Sequence, residues 1–238
     1  MGPAPGSTRI EVSPGEHVTA VTYAAADRDR PGASIILAHG AGAGQASDFM
    51  VRFASALAAR GIAAITFNFV YTEEGRRAPD RNDKLEACYR KVIEAFRDGA
   101  LGDLGRKLAI GGKSMGGRIA SQVAAGPAGG AADLVAGLVF LGYPLHPPGR
   151  PGQLRTRHWP KIRAPMLFVQ GTRDAFGTPD ELQRHFAALH APVELYAVEG
   201  GDHSLKVLKK AGIPQQAVYD AALDKIADWL RQLPARPG

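Results

Sequence analysis

The sequence predicts an α/β protein built on a mainly parallel sheet with helices on both faces. Short continuous apolar runs such as Ser34-Ile35-Ile36-Leu37-Ala38 and Met166-Leu167-Phe168-Val169 lack polar alternation, as strands covered on both faces do. Between such runs lie segments with apolar residues at helical spacing, the order that parallel strands joined by crossover helices require.

Taken in order, Thr8 to Ser13 and His17 to Tyr23 alternate on either side of Pro14-Gly15 and read as an antiparallel hairpin. The Ser34 to Ala38 run follows, then a helix from Phe49 to Arg60, a strand from Ile62 to Phe67 and a helix from Leu85 to Phe96. Arg106-Lys107-Leu108-Ala109-Ile110-Gly111-Gly112 reads as a short buried strand entered from a basic loop. A helix from Met115 to Ala125 carries Ile119, Ala120 and Val123 on one face, and Gly126-Pro127 stops it. Strands at Leu134 to Leu141, Met166 to Val169 and Val193 to Val198, with helices at Pro179 to His190 and Gln215 to Leu233, complete the series. No Pro/Gly/Ser linker divides the 238 residues, so one domain is expected over 8–233, between a disordered or extended tail at 1–7 and a C-terminal tail at 234–238.

Composition removes several function classes. The formal charge of +6 comes from scattered Lys and Arg, with a local excess between Arg150 and Arg163. There is no basic helix with base-reading spacing and no aromatic RNA-binding signature, so nucleic acid is not an expected partner. Cys88 is the single cysteine and falls in a helical pattern as a buried structural thiol, which rules out an intrachain disulfide and makes the cytoplasm the default compartment. The N-terminus lacks the basic start and apolar core of a secretory signal, and no apolar run is long enough to span a bilayer, so no membrane association is expected. No metal site is expected: the histidines are dispersed, His-Glu-x-x-His is absent and one cysteine builds no thiolate cage. No cofactor is expected either, because in Gly40-Ala41-Gly42-Ala43-Gly44-Gln45 a glutamine occupies the third glycine of a dinucleotide loop.

The chemistry points to Gly111-Gly112-Lys113-Ser114-Met115-Gly116-Gly117-Arg118. A serine between two glycines, after a buried strand and before a helix, is the sequence form of a nucleophile elbow. With 29 glycines in the chain the motif alone is weak, and its strand-then-helix context carries the reading. In a parallel sheet functional groups gather beyond the carboxyl ends of the strands, and two further candidates follow strands: Asp174 and His203. A serine hydroxyl needs a neutral imidazole to take its proton, and His203 in the Glu199 to Ser204 loop is the expected base. Asp174 in Gly171-Thr172-Arg173-Asp174 is the expected acid, with Asp180 as runner-up although Thr178-Pro179-Asp180-Glu181 looks like a capped helix start. Asp202 adjoins the histidine, but neighbours in an extended loop point apart. His39, His146, His158, His185 and His190 are weaker rivals for the base. The oxyanion donors are expected to be the N–H of Met115 and that of Ala41, with Gly42 next in line.

With these residues in place, the chain resembles the α/β-hydrolase superfamily over nearly its whole length, in the order Ser114, Asp174, His203. His39-Gly40-Ala41-Gly42, Tyr143-Pro144-Leu145-His146 and Gly171-Thr172-Arg173-Asp174, together with the elbow, resemble a small dienelactone-hydrolase-like branch. In animals that branch includes a testis-expressed protein and a subunit of the NSL chromatin-regulating complex. The resemblance implies a serine hydrolase fold, while some animal members act as interaction subunits. Dienelactone hydrolases carry a cysteine nucleophile where Ser114 stands, which argues against that particular substrate.

The stretch between Leu141 and Met166 is too short for the helical cap of many hydrolases, so an open site is expected, suited to a small ester or thioester. Gly42, Tyr71 and Trp159, with Phe69, are expected to contact substrate, the aromatics as walls of an acyl pocket. Arg150, Arg155, Arg157, His158, Lys161 and Arg163 are candidates to rim the site. A noncatalytic interaction protein on the same fold is the alternative function. The sequence carries no reading of oligomeric state.

Overall fold

The structure, a computed structural model, describes residues 4–26, 32–102, 104–105, 107–127 and 130–234. Residues 1–3 and 235–238 of the expected tails, and Arg106 before the elbow strand, lie outside the described residues. In chain order the elements are β1 (Gly6–Ser13), β2 (Glu16–Tyr23), β3 (Ala33–Ala38), α1 (Asp48–Ala59), β4 (Ala63–Phe67), α2 (Val70–Glu73), α3 (Asn82–Arg97), β5 (Lys107–Lys113) and α4 (Met115–Ala124). They continue with β6 (Gly137–Leu141), β7 (Met166–Gly171), α5 (Pro179–Gln183), β8 (Val193–Val198) and α6 (Gln215–Gln232).

All eight strands form one sheet in the order β1-β2-β4-β3-β5-β6-β7-β8. The β1/β2 hairpin joins antiparallel to β4, and β3 to β8 run parallel. Side chains alternate across a strand, so an apolar run serves both faces at once. In β3, Ile36 and Ala38 enter the core beneath α3 and α4, while Ile35 and Leu37 enter the core beneath α1 and α6. Helical spacing supplies the other half of each core: Leu85, Tyr89 and Val92 with Ile119 and Val123 on one side, Phe53 and Leu57 with Leu223, Ile226 and Leu230 on the other.

Four elements differ from expectation, among them β6, whose expected start at Leu134 falls in a tight turn at Ala131–Leu134 so that the strand begins at Gly137. β1 begins at Gly6, two residues inside the expected tail. The helix expected from Pro179 to His190 ends at Gln183 and gives way to a tight turn at Phe186–Ala188. Its start is secured by a capping box between Thr178 and Glu181, but Pro192 disfavours helical geometry at Ala191, and the chain is already extended at Leu189. The short α2 carries no periodic signature and was not foreseen.

No helical layer covers the carboxyl end of the sheet between β6 and β7, where that connection holds only a three-residue turn at Trp159–Lys161. Below this rim the elbow is pressed into the sheet centre. A Cβ added to Gly116 would stand 2.2 Å from the carbonyl oxygen of Ala38, inside a parallel ladder that cannot yield. Gly116→Ala is therefore expected to cost ~3 kcal/mol, at the upper end of ordinary overpacking, read as a shift in the urea unfolding midpoint.

Candidate active site

Ser114 occupies the turn between β5 and α4 with φ 51° and ψ −115°, one of two non-glycine residues with positive φ among those described. Left-handed backbone costs a β-carbon residue of order 1–3 kcal/mol and persists only where the surroundings enforce it. Here the Ser114 N–H donates to Leu141 O at 3.1 Å, tying the turn to the end of β6.

Three loops converge on this serine. The Ser114 hydroxyl lies 2.8 Å from His203 Nε2, and His203 Nδ1 lies 2.8 Å from Asp174 Oδ2. A carboxylate only accepts, so Nδ1 carries the proton and Nε2 is left free to accept from the serine. Asp174 comes from the loop after β7 and has a fully buried side chain. Its oxygens are nonetheless filled: Oδ2 also accepts from Gln170 Nε2 at 2.8 Å, and Oδ1 accepts from the Phe176 N–H at 2.8 Å. His203 follows β8, and the Phe176 ring stacks on its imidazole at 4.2 Å. Asp202 is occupied elsewhere, its Oδ1 accepting from the N–H groups of Ser204 and Lys206 and so closing the loop that presents His203. Asp180 sits in the first turn of α5.

The loop after β3 abuts the elbow, since a Cβ added to Gly40 would lie 3.5 Å from Ser114 Cβ. Ala41 and Met115 both line the cleft at Ser114. Among the described residues neither of their N–H groups has a protein acceptor, Met115 because it opens α4. Gly42 turns this loop with φ 72° between two cleft-lining alanines. His39 is no rival base: its Nδ1–H donates to Gly40 O at 2.9 Å and its Nε2 accepts from the Phe69 N–H at 3.2 Å. Burial holds its pKa below the ordinary histidine value, so it is a neutral brace between the loops after β3 and β4.

Three expected substrate contacts, Trp159, Tyr71 and Phe69, are corrected. Trp159 is 1% exposed, and its Nε1–H donates to Tyr143 Oη at 3.0 Å while its ring packs on Tyr143 and Phe168. An indole with its donor satisfied stabilises more in the core than on a wet rim, and here it anchors the β6–β7 connection. Tyr71 is likewise buried, against His39 and Phe69 and close to the Gly42 backbone, so it supports the turn that Ala41 belongs to and does not wall the cleft. Phe69 is fully buried beside it.

Of the expected basic rim, only Arg155 lines the cleft. His158 instead turns inward, its Nε2 2.7 Å from Ser121 Oγ, and burial, helped by the nearby Arg118 cation, pushes it down to about 4. The cleft itself has a volume of about 570 Å³ and is walled by Phe49, Met50, Leu85, Pro144 and Phe176. A second concavity of about 580 Å³ at the start of β1 is lined by small uncharged residues and leucines. Among the described residues no group of three or more His, Cys, Asp or Glu side chains is arranged to hold a metal ion. No helix among them is long and apolar enough to cross a membrane.

Gln170, Lys113 and Arg118 were not singled out from sequence. The signal for Gln170 was a polar residue closing a fully buried strand; it is fully buried and fixes Tyr143, Asp174 and Gly177 together. Lys113 donates through Nζ to His203 O and lies over the Phe49 ring, and burial lowers its pKa to about 8.

Residues 31–231 match the family model described as an alpha/beta hydrolase domain. The chain belongs to that family. Among solved α/β hydrolases, the dienelactone hydrolase of Anabaena variabilis aligns with a TM-score of 0.75 at 16% identity, over 98% of this chain and 99% of that one. An α/β serine hydrolase without lid from Xanthomonas campestris gives 0.70 at 19% identity over 100% and 99%. Est1E of Butyrivibrio proteoclasticus gives 0.69 at 16% over 93% and 99%. At such identities the likeness establishes the α/β-hydrolase fold, with its eight-stranded sheet and no large cap.

Two measurements test this geometry. Gln170→Leu keeps the volume but strips the buried Tyr143 N–H of its acceptor, so unfolding in urea is expected to lose roughly 2–3 kcal/mol. His158 is neutral in the fold and titrates near its ordinary value when unfolded, so the unfolded chain binds the extra proton first as pH falls from 6.5 to about 4. Stability from this group is thus lost across that window, by roughly 3 kcal/mol at most, and His158→Gln should flatten the pH dependence of the urea midpoint there.

Proposed function

We propose that this protein is a metal-independent serine hydrolase of small esters or thioesters, carboxylesterase-like or thioesterase-like, acting through an acyl-enzyme. The supporting observation is the continuous Ser114–His203–Asp174 hydrogen-bonded chain, 2.8 Å at each link, beside two amides with no acceptor among the described residues. In this reading Ser114 Oγ bonds to the substrate carbonyl carbon as its proton passes to His203 Nε2. The carbonyl electron pair moves onto oxygen, where the N–H groups of Ala41 and Met115 receive it. Asp174 stabilises the imidazolium and holds its tautomer; Gln170 and Phe176 fix the carboxylate in turn. Collapse expels the alcohol or thiol, which takes the proton from His203. A water then repeats the sequence on the acyl-enzyme and returns Ser114 to its starting state.

The same reading includes one domain over 8–233, a cytoplasmic setting, a small-molecule substrate and no cofactor, nucleic-acid or membrane partner. It also includes kinship with the dienelactone-hydrolase-like branch of the testis-expressed and NSL-complex proteins. A purely interacting role leaves the strained φ of Ser114 and its bonded imidazole without a purpose.

A fluorophosphonate probe is expected to label wild-type protein at Ser114, with no label on Ser114→Ala by peptide mass spectrometry. His203→Ala should lower kcat/KM on a p-nitrophenyl ester by about 10⁴-fold. A folded protein that is neither labelled nor active would overturn the proposal.

A further inference from the structure

The cleft around Ser114 holds more positive charge than its own residues balance. Lys113, Arg118 and Arg155 line it, against one carboxylate, Asp80. That carboxylate is already engaged, Oδ1 with Arg76 at 2.8 Å and Oδ2 with the Tyr71 N–H at 3.2 Å. Lys113 is engaged too, by the His203 carbonyl. The two arginines are not matched in charge. Arg118 donates to the neutral amide oxygens of Gln122 and Asn82 at 3.3 and 3.1 Å, and Arg155 to Pro144 O at 3.4 Å. Among the described residues neither has a carboxylate within ion-pair distance; Glu86, whose field reaches Arg118, is paired with Arg90 at 2.7 Å.

Placement makes this imbalance costly. Arg118 stands four residues after Ser114 on α4, on the same helix face, and helical side chains lean toward the N-terminus, here toward the serine. A cation in the first turn opposes the helix dipole. Burial and the neighbouring Arg155 both disfavour its charge, yet a guanidinium does not discharge at working pH. Arg155 has a fixed backbone, its N–H bonded to Leu145 O and its carbonyl to the Tyr143 hydroxyl, both at 2.8 Å. Two half-buried guanidinium forks with spare donors, on rigid supports beside a nucleophile, suit planar or tetrahedral oxyanions held by paired hydrogen bonds.

We propose that Arg118 and Arg155 form an anion subsite, so that the preferred ester or thioester carries a carboxylate or phosphate a short tether from its scissile carbonyl. This rests on the serine-hydrolase reading and adds the substrate's charge to it. The anion supplies the compensation that the fold withholds, and its binding draws the carbonyl toward Ser114.

The test compares p-nitrophenyl hemiglutarate with p-nitrophenyl valerate, acyl chains of equal carbon number, after subtraction of spontaneous hydrolysis. p-Nitrophenyl 4-phosphonobutanoate against the same valerate ester separates a phosphate-like anion from a carboxylate. Wild type is expected to favour the anionic member of at least one pair. Arg118→Gln and Arg155→Gln should each lower that preference ratio at least tenfold, Arg118→Lys less, and added salt should lower it in wild type. Neutral substrates preferred in both pairs, or a ratio unchanged in both variants, overturns the anion subsite while hydrolysis and Ser114 labelling leave the enzyme reading standing. No turnover with Ser114 unreactive to a fluorophosphonate overturns that reading, and the subsite falls with it.

Discussion

The close approach between the Ala38 backbone and the elbow sets the position of everything else in the cleft. The Ala38 carbonyl lies 2.2 Å from where a Cβ would stand on either Gly112 or Gly116, so only two bare α-carbons allow β3, β5 and the start of α4 to meet. From that contact the turn has one route, and Ser114 takes it at positive φ. The next residues after Ala38 then run alongside the serine, and His39 braces them against the loop after β4. The nucleophile position and the two free amides thus share one base of packed backbone.

Buried polarity is handled differently on the two sides of Ser114. On the acid side, Gln170 and Asp174 are shut away from water, but their donors and acceptors are matched, which is what makes such burial tolerable. On the α4 side, the guanidinium groups bond, among the described residues, to neutral oxygens alone. The first arrangement fixes a geometry. The second leaves a field directed into an open cleft, where charge selects among molecules that arrive from solvent.

Sequence revealed the fold because uninterrupted apolar strands and periodic helices are both consequences of two-sided burial, and each is visible in a local window. It revealed Ser114, Asp174 and His203 as candidates because strand ends are also local, and the fold brings those three side chains into contact. What failed was inference about which way a side chain faces inside irregular chain. Trp159, Tyr71 and His158 lie in or beside loops without a period, so only tertiary packing decides between rim and core; Trp159 and Tyr71 went to the core, and the half-buried His158 turned inward onto Ser121. The short α5 escaped for a related reason: a strong cap announces where a helix starts, while Pro192 sets only the latest point at which it could end, and the chain leaves the helix at Gln183. Arg118 was in plain view within the elbow motif, but its lack of a carboxylate partner among the described residues is a property of space that no window of sequence contains.

The serine and its imidazole are 89 residues apart in the chain, and β8 and the His203 loop come late in it. During synthesis the Ser114 segment is therefore complete long before its proton acceptor exists. A nascent or prematurely terminated chain would carry an alcohol no more reactive than any other, and reactivity would appear only as the last quarter of the polypeptide packs into place.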